Sequence, residues 1–191
     1  MNPMPPKLYG QLKTHKNGLP IRPVVAYYTD STYLLAKHLA KWFRAYSSFS
    51  PAFSVRNSSE VATLLMNRAF LPNVTLCSFD ISSMYSCIPV LKSIGYMCEI
   101  LSQNNVPNEV IQEFEQLLLL CLKENLCTYN NVIYKFPDGL PMGGPLSCLV
   151  ADVFMDYFER HLFNTFYTPH VIVWTRYVDD VLCLEWHGSF T

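Results

Sequence analysis

The chain has 191 residues, of which 50% are hydrophobic and 15% charged, and its formal net charge at pH 7 is −1. This length and apolar content are enough for one domain, or one domain with a small lobe, to bury its own core. Disorder is therefore excluded for most of the chain, and no low-complexity tract or internal repeat indicates a fibrous or solenoid protein.

The cysteines and the apolar segments indicate a protein of a reducing compartment. The seven cysteines are odd in number and form no C-x-x-C pair, which disfavours a disulfide framework and a zinc site. The longest fully apolar run, Leu117 to Leu122, is too short to span a bilayer, and no signal peptide opens the chain. We therefore expect an intracellular protein, nuclear or cytoplasmic, that is neither secreted nor inserted in a membrane.

Charge is distributed unevenly along the chain. Residues 1–44 carry seven basic residues against one acidic residue, a net charge of +6, whereas residues 45–191 carry seven against fourteen, a net charge of −7. This asymmetry predicts a lobe that faces phosphate groups beside a lobe that binds metal ions. Lys37, Lys41 and Arg44 are better explained as the solvated face of a helix.

The first third of the chain predicts one strand and two helices. Residues 21–26 predict a strand, and Pro23 within it favours a position at the edge of a sheet. From Ser31 onward apolar residues recur at helical spacing, with His38 as part of that helix rather than as a ligand. Asn57 and Glu60 have the spacing of a capping box, which predicts that a second helix begins there.

The middle of the chain predicts a strand, two helices and a hairpin. Val74–Phe79 is apolar enough for a buried strand, and this strand ends in Asp80. Helices follow over about 90–103 and about 108–123, and we expect them to cover one face of a sheet. Asn130–Asn131, between short apolar runs, predicts the turn of a β-hairpin.

A glycine- and proline-rich loop, Gly139–Ser147, precedes an amphipathic helix that follows Leu146. Its glycines permit close backbone approach to a ligand, although the same composition is ordinary for a turn and Ser147 is an ordinary helix cap. Asp152 and Asp156 lie on one face of the helix, so a metal pair is one hypothesis. We prefer two acids on a solvated face, because no further ligand is indicated there.

The last apolar segment of the chain contains two adjacent carboxylates. Residues 171–178 run into Asp179 and Asp180, and residues 181–184 resume the apolar pattern, which predicts a buried hairpin with acids at its bend. Such charges cost free energy unless a cation neutralises them, and an exposed turn is the alternative. Because Asp80 also ends a strand, converging carboxylates predict oxygen ligands for a pair of hard divalent cations.

Three segments resemble, in the correct order, the motifs of reverse transcriptases. They are FDISSMY (79–85), GLPMGGPLS (139–147) and RYVDD (176–180). Upstream, PKLYGQLKTHK (6–16) and IRPVV (21–25) resemble the fingers motifs of that family. The resemblance therefore covers nearly the whole chain.

Within the reverse transcriptases, the chain is most similar to Penelope-like retroelements. KLYGQLKTHK, PMGGPLS, ADVFMDYFE and WTRYVDD carry this similarity. Gly144 stands where those proteins commonly have serine, and Cys148 where they commonly have proline. Both departures affect the geometry of a loop rather than the metal site.

The resemblance implies an α/β (α+β) fold in which a polymerase palm-like antiparallel sheet packs on helices beside a partial fingers lobe. Residues 1–73 would be fingers-like and residues 74–191 palm-like, with the catalytic motifs, within a single reverse transcriptase domain. The sequence stops eleven residues after Asp180, so we expect a C-terminally truncated domain without a thumb. Its processive activity should be weak, because phosphate contacts supply most of the affinity for a duplex.

The resemblance also implies an RNA-directed DNA polymerase, in which a primer 3′ hydroxyl attacks the α-phosphorus of a dNTP and expels pyrophosphate. Asp80 and Asp179 would bridge two Mg²⁺ ions, with Asp180 as a weaker ligand or electrostatic partner, and Mn²⁺ is the alternative ion. The partners would be an RNA or DNA template and a primer strand.

Cationic fingers residues would bind the triphosphate of the incoming nucleotide. Arg22 is the first candidate, because an arginine before proline matches the family motif. Lys13 and Lys16 are weaker candidates.

Other substrate-binding residues lie in the first two catalytic motifs. Tyr85 has the position of the aromatic residue that excludes the sugar 2′ hydroxyl, with a core tyrosine as the alternative. Met142 and Gly143 would line the pocket for the incoming base pair by contact rather than by hydrogen bonding.

Two other interpretations explain part of the pattern. A catalytically inactive, domesticated or truncated remnant could act as a binding module, although the intact Asp80, Asp179 and Asp180 argue against long decay. A two-metal nuclease or phosphatase would explain the carboxylates but not the context of Arg22, Tyr85 and Gly143.

Overall fold

The computed structural model describes residues 5–14, 17–69, 73–123, 126–136, 139–166 and 168–187. Lys16, a predicted triphosphate ligand, lies outside these residues. The strands are β1 (Lys7–Leu12), β2 (Ile21–Ala26), β3 (Val74–Asp80), β4 (Leu126–Tyr129), β5 (Val132–Lys135), β6 (Val171–Tyr177) and β7 (Asp180–Trp186). The α-helices are α1 (Tyr33–Ser47), α2 (Ser58–Met66), α3 (Met84–Cys87), α4 (Val90–Gln103), α5 (Asn108–Leu122) and α6 (Ser147–Thr165), and a short 3₁₀ turn covers Tyr27–Thr29.

The chain forms two compact units built from interleaved segments. The first unit contains residues up to 49 together with 85–154, and the second contains 50–84 together with the residues from 155 onward. Neither unit coincides with the sequence ranges 1–73 and 74–191, so that functional division stays a prediction.

The first unit contains a mixed four-stranded sheet with the strand order β2-β1-β4-β5. Strand β2 lies at the edge, as Pro23 predicts, because proline has no amide hydrogen to donate to a neighbouring strand. Asn130 and Asn131, between β4 and β5, have φ of +48° and +61°. Positive φ at both central residues is the pattern of a type I′ hairpin turn, which confirms the predicted hairpin.

Two helices of the first unit, α1 and α5, pack through aromatic side chains. Phe114 of α5 lies with its ring centroid 5.1 Å from that of Trp42 and 5.9 Å from that of Phe43, both on α1. Helices α4 and α5 match the predicted ranges to within one residue. The apolar stripes at helical spacing thus form an interior in which Phe43 and Leu118 are fully buried.

The second unit contains an antiparallel three-stranded sheet with the strand order β3-β7-β6. The prediction of a buried strand before Asp80 is wrong: β3 is an edge strand, and Leu76 within it is 60% exposed. Apolar composition cannot tell a central strand from an edge strand, because the strands beside it and the elements packed on the sheet decide how much of it is covered. Phe79 is also exposed, although its ring stacks on Trp174 with centroids 6.3 Å apart.

The second unit also contains the predicted capped helix. The side chain of Asn57 accepts a hydrogen bond from the Glu60 amide at 3.0 Å, and Glu60 Oε2 accepts one from the Arg56 amide at 2.8 Å. The first bond satisfies an amide that the first turn of α2 leaves without a helical partner, and the second ties the residue before the cap to that turn. Together they confirm the predicted start of the helix.

The cysteines are unpaired thiols, as their odd number suggests. Burial raises the pKa of the Cys98, Cys121 and Cys183 thiols to about 11. Among the residues described, no helix combines the length and the apolar composition needed to cross a bilayer.

Candidate active site

Strand register brings Asp80 and Asp180 directly opposite each other. The β3–β7 pairing runs without a break from Val74 opposite Trp186 to Asp80 opposite Asp180. Residues directly opposite in an antiparallel pair have Cβ atoms about 4.5–5.5 Å apart on the same face of the sheet. The two carboxylates, a hundred positions apart in sequence, are therefore neighbours.

Asp179 lies in the tight turn that precedes Asp180. Tyr177 pairs with Asp180 across β6 and β7, which leaves a two-residue loop of Val178 and Asp179. The carbonyl oxygen of Asp179 accepts a hydrogen bond from the Ile81 amide at 2.8 Å, one residue beyond Asp80. The backbone thus gathers all three aspartates at one end of the sheet, and we call them the aspartate triplet.

The turn is strained at Val178. This residue has φ of +56°, which a β-branched side chain rarely adopts. A positive φ at only the first central residue is the pattern of a type II′ hairpin turn, where glycine is usual. Contacts around the turn must therefore over-determine its conformation.

The donor chemistry of the aspartate triplet fits hard divalent cations. Asp80 and Asp180 are exposed, and like charges directly opposite on two strands destabilise a sheet unless they are neutralised. However, within the described part of the chain, no group of three or more His, Cys, Asp or Glu side chains is arranged to hold a metal ion. The backbone brings the three residues together, and convergence of the three carboxylates stays a prediction.

A buried ion pair lies beside the turn, and the sequence reasoning missed it. Arg176 of β6 and Glu159 of α6 have their side chains 1% and 0% exposed, with Arg176 Nε 2.9 Å from Glu159 Oε1. The only sequence signals were an arginine within an apolar strand and a glutamate within an amphipathic helix. Neither signal identifies a partner.

The structure contradicts the prediction that Asp156 lies on a solvated helix face. The residue is 3% exposed, and its Oδ1 accepts a hydrogen bond from the Ala52 amide at 2.7 Å. Oδ2 accepts another from Arg160 Nε at 2.7 Å. Asp156 therefore anchors the chain at residue 52, which is a structural role that its spacing from Asp152 could not reveal.

The glycine-rich loop packs against strand β2 in the first unit. The Val25 amide donates a hydrogen bond to the Met142 carbonyl oxygen at 2.9 Å. Gly143 has φ of +104°, and a Cβ atom there would lie 2.4 Å from the Val25 carbonyl oxygen. Only glycine fits this position, because the loop backbone lies against that of β2, and the predicted approach of a ligand to the loop stays a prediction.

Tyr85 lies beside the same loop. Its carbonyl oxygen accepts a hydrogen bond from the Leu140 amide at 2.7 Å, and its hydroxyl lies 3.5 Å from Cys148 Sγ. The tyrosine is half-buried, so part of its surface is accessible and it is not a core residue. Cys148 is one of the two departures from the family pattern.

Arg22 and Lys13, two of the predicted cationic residues, lie on the hairpin of β1 and β2 or next to it. Arg22 is exposed on β2, paired with Gln11, and the Lys13 amide donates to the Pro20 carbonyl oxygen at 3.0 Å. Gly143 also lines a groove of about 590 Å³ in the first unit. The other side chains that line this groove include Lys7, Tyr9, Tyr28 and Tyr33.

The comparisons with known proteins show similarity of fold. No family model and no curated protein matches the sequence. Telomerase from Candida tropicalis in complex with the TWJ fragment of telomeric RNA is 13% identical, with a TM-score of 0.70, over 95% of this chain and 36% of that chain. Apo telomerase from the same organism, truncated from the C-terminal domain, is 14% identical, with a TM-score of 0.66, over 94% and 43%.

A third similar structure is telomerase from Candida albicans in complex with the TWJ fragment of telomeric RNA. It is 14% identical, with a TM-score of 0.56, over 94% of this chain and 38% of that chain. The chain thus spans well under half the length of these telomerases. The predicted α/β (α+β) class is confirmed, and the chain has a fold similar to that of these telomerases.

Proposed function

We propose that this chain is an RNA-directed DNA polymerase domain of a retroelement, most similar to the Penelope-like reverse transcriptases. The observation that carries the proposal is the strand register that sets Asp80 opposite Asp180, next to the turn that holds Asp179. The fold similarity supports it, because the three predicted catalytic motifs fall on a reverse transcriptase-like fold in the expected order.

The aspartate triplet would hold two Mg²⁺ ions, with Asp80 and Asp179 as the principal ligands and Asp180 as the weaker one. When bound, such ions activate an attacking hydroxyl and stabilise the leaving oxygen of a phosphoryl transfer. The protein's own task is then to hold the carboxylates and to orient the primer 3′ hydroxyl and the dNTP. Exposure of Asp80 and Asp180 leaves room for these substrates.

Substrate-binding roles are proposed for residues outside the aspartate triplet. Arg22 and Lys13 would bind the triphosphate, since both are cationic and lie on the β1–β2 hairpin or next to it. Tyr85 would exclude the 2′ hydroxyl of ribonucleotides. Met142 and Gly143 would line the pocket of the incoming base pair, with an RNA or DNA template and a primer as partners.

Primer extension by the full chain tests the proposal. Wild-type protein should extend a DNA primer on an RNA or DNA template in Mg²⁺, and Asp179→Asn should reduce extension to background. Glu113→Gln is the matched control, because it removes the same charge from an exposed position on α5 and should extend like wild type. Equal extension by Asp179→Asn would contradict the assignment.

A catalytically inactive binding module is the second candidate. One observation favours it: among the described residues the three aspartates do not form a ready group of metal-ligating side chains. This candidate predicts that wild-type protein binds RNA in a gel-shift assay, shows no extension with Mg²⁺ or Mn²⁺, and binds RNA equally well after Asp179→Asn.

A further inference from the structure

The buried ion pair of Arg176 and Glu159 takes part in several hydrogen bonds within the second unit. Arg176 Nε and Nη2 donate to Glu159 Oε1 and Oε2 at 2.9 and 3.3 Å, a bidentate geometry. Glu159 Oε1 also accepts a hydrogen bond from Trp174 Nε1 at 3.1 Å. One carboxylate of α6 therefore fixes two side chains of β6.

The third guanidinium nitrogen of Arg176, Nη1, binds the strained turn. Arg176 Nη1 donates to the carbonyl oxygen of Val178 at 3.0 Å. This carbonyl belongs to the peptide bond between Val178, with its positive φ, and Asp179. Because the peptide group is planar, fixing its oxygen also fixes the amide of Asp179 and the direction in which that residue leaves the turn.

The main chain of Arg176 is held as firmly as its side chain. Its amide donates to the Phe53 carbonyl oxygen at 2.8 Å, and its carbonyl oxygen accepts from the Val55 amide at 2.9 Å. The guanidinium therefore projects from a fixed point, with Glu159 on one side and the turn on the other. Hydrogen bonds thus connect α6, through Arg176, to the peptide group that precedes Asp179.

Stability alone does not explain this arrangement. A buried ion pair commonly contributes no more to folding than well-packed apolar residues of similar volume. An apolar pair, however, could not bind the Val178 carbonyl and hold the turn in an unfavourable conformation. A magnesium ion tolerates little deviation from octahedral geometry, so a carboxylate ligand has to be held closely in place.

We propose that Glu159 and Arg176 are positioning residues that set the orientation of Asp179 for binding a divalent cation. The inference rests on the proposed function, since it assigns the pair a role toward the aspartate triplet. Both side chains are buried, so neither would touch substrate or metal. Their effect passes through the Val178 peptide, and it should therefore appear as metal affinity rather than as fold.

Mn²⁺ binding to the full chain, followed by electron paramagnetic resonance, tests the proposal. The double variant Glu159→Leu/Arg176→Met replaces the pair with apolar residues and should keep the melting temperature. Its Mn²⁺ affinity should nevertheless fall about 10–100-fold, as when outer-shell partners of metal ligands are removed. Wild-type affinity in a folded double variant would overturn the positioning role.

Arg176→Lys covers the case in which the double variant does not fold. Lysine keeps one bond to Glu159 but lacks the planar fork that reaches the Val178 carbonyl at the same time. It should fold and bind Mn²⁺ about 10-fold more weakly, and unchanged affinity would overturn the proposal. Arg160→Lys is the matched control, because Arg160 pairs with Asp156 on the same helix without reaching the turn, and its affinity should not change.

The metal site itself is tested in the same titration. Asp179→Asn should weaken Mn²⁺ binding more than Arg176→Lys does. If Asp179→Asn binds Mn²⁺ as wild type does, the proposed metal site is overturned and the positioning role with it. If only the Arg176 and Glu159 variants bind normally, the positioning role alone is overturned.

Discussion

Replacement of Gly143 by alanine should destabilise the first unit strongly. The glycine has φ of +104°, outside the range that alanine adopts without strain, and an added Cβ would lie 2.4 Å from the Val25 carbonyl oxygen. The obstacle is backbone rather than a mobile side chain, so β2 or the loop has to move. Such a movement also disturbs the adjacent hydrogen bond from the Val25 amide to the Met142 carbonyl oxygen.

The size of the effect follows from these two contributions. A residue forced into an unfavourable backbone region costs about 1–3 kcal/mol. Loss of one backbone hydrogen bond adds about 0.5–1.5 kcal/mol. The free energy of unfolding of Gly143→Ala should therefore be about 1.5–4.5 kcal/mol lower than that of wild type.

Urea unfolding followed by far-ultraviolet circular dichroism measures this loss. Gly95→Ala is the matched control, because Gly95 lies within α4 and an added Cβ would meet no atom within 4 Å. That substitution should stabilise the protein by about 0.5–1 kcal/mol, since alanine favours a helix over glycine. If Gly143→Ala were as stable as wild type, the packing of the loop against β2 would be refuted.

Three further predictions concern the discrimination against ribonucleotides by Tyr85, the buried carboxylate of Asp156 and the buried thiols. Tyr85→Ala should raise incorporation of ribonucleotides relative to deoxynucleotides in an extension assay, while Tyr85→Phe should keep the wild-type ratio. An unchanged ratio in the alanine variant would refute the proposed exclusion of the 2′ hydroxyl. Asp156→Ala should lower the free energy of unfolding by about 1–3 kcal/mol, because the Ala52 amide loses its acceptor. Unaltered stability would favour the interpretation of Asp156 as a residue on a solvated face. Burial raises the pKa of the Cys98, Cys121 and Cys183 thiols from 9.0 to about 11, so the native state binds their protons more tightly. The free energy of unfolding should thus fall as pH rises from 9 through 11, and it should fall less steeply in Cys183→Ala. An equally steep fall in that variant would argue against the burial of this thiol.

Local signals in the sequence predicted much of the fold. The Asn57–Glu60 cap, the limits of α4 and the Asn130–Asn131 turn were all predictable, because each depends on residues close together in the chain. The apolar hairpin that turns at Asp179 and Asp180 was predictable for the same reason.

Features that depend on distant partners were not predictable. The exposure of β3 depends on its place at the edge of the sheet, which apolar composition does not encode. Asp156 is buried because the Ala52 amide lies against it, more than a hundred residues away in sequence. Glu159 and Arg176 are each unremarkable alone, and only packing of α6 on β6 makes them a pair.

Anomalous diffraction from crystals of the chain soaked in Mn²⁺ would locate the ion without requiring catalysis. If the aspartate triplet binds divalent cations, Mn²⁺ should lie within about 2.6 Å of carboxylate oxygens of both Asp80 and Asp179. Mn²⁺ bound elsewhere on the chain, with none at Asp80 and Asp179, would contradict the proposed metal site.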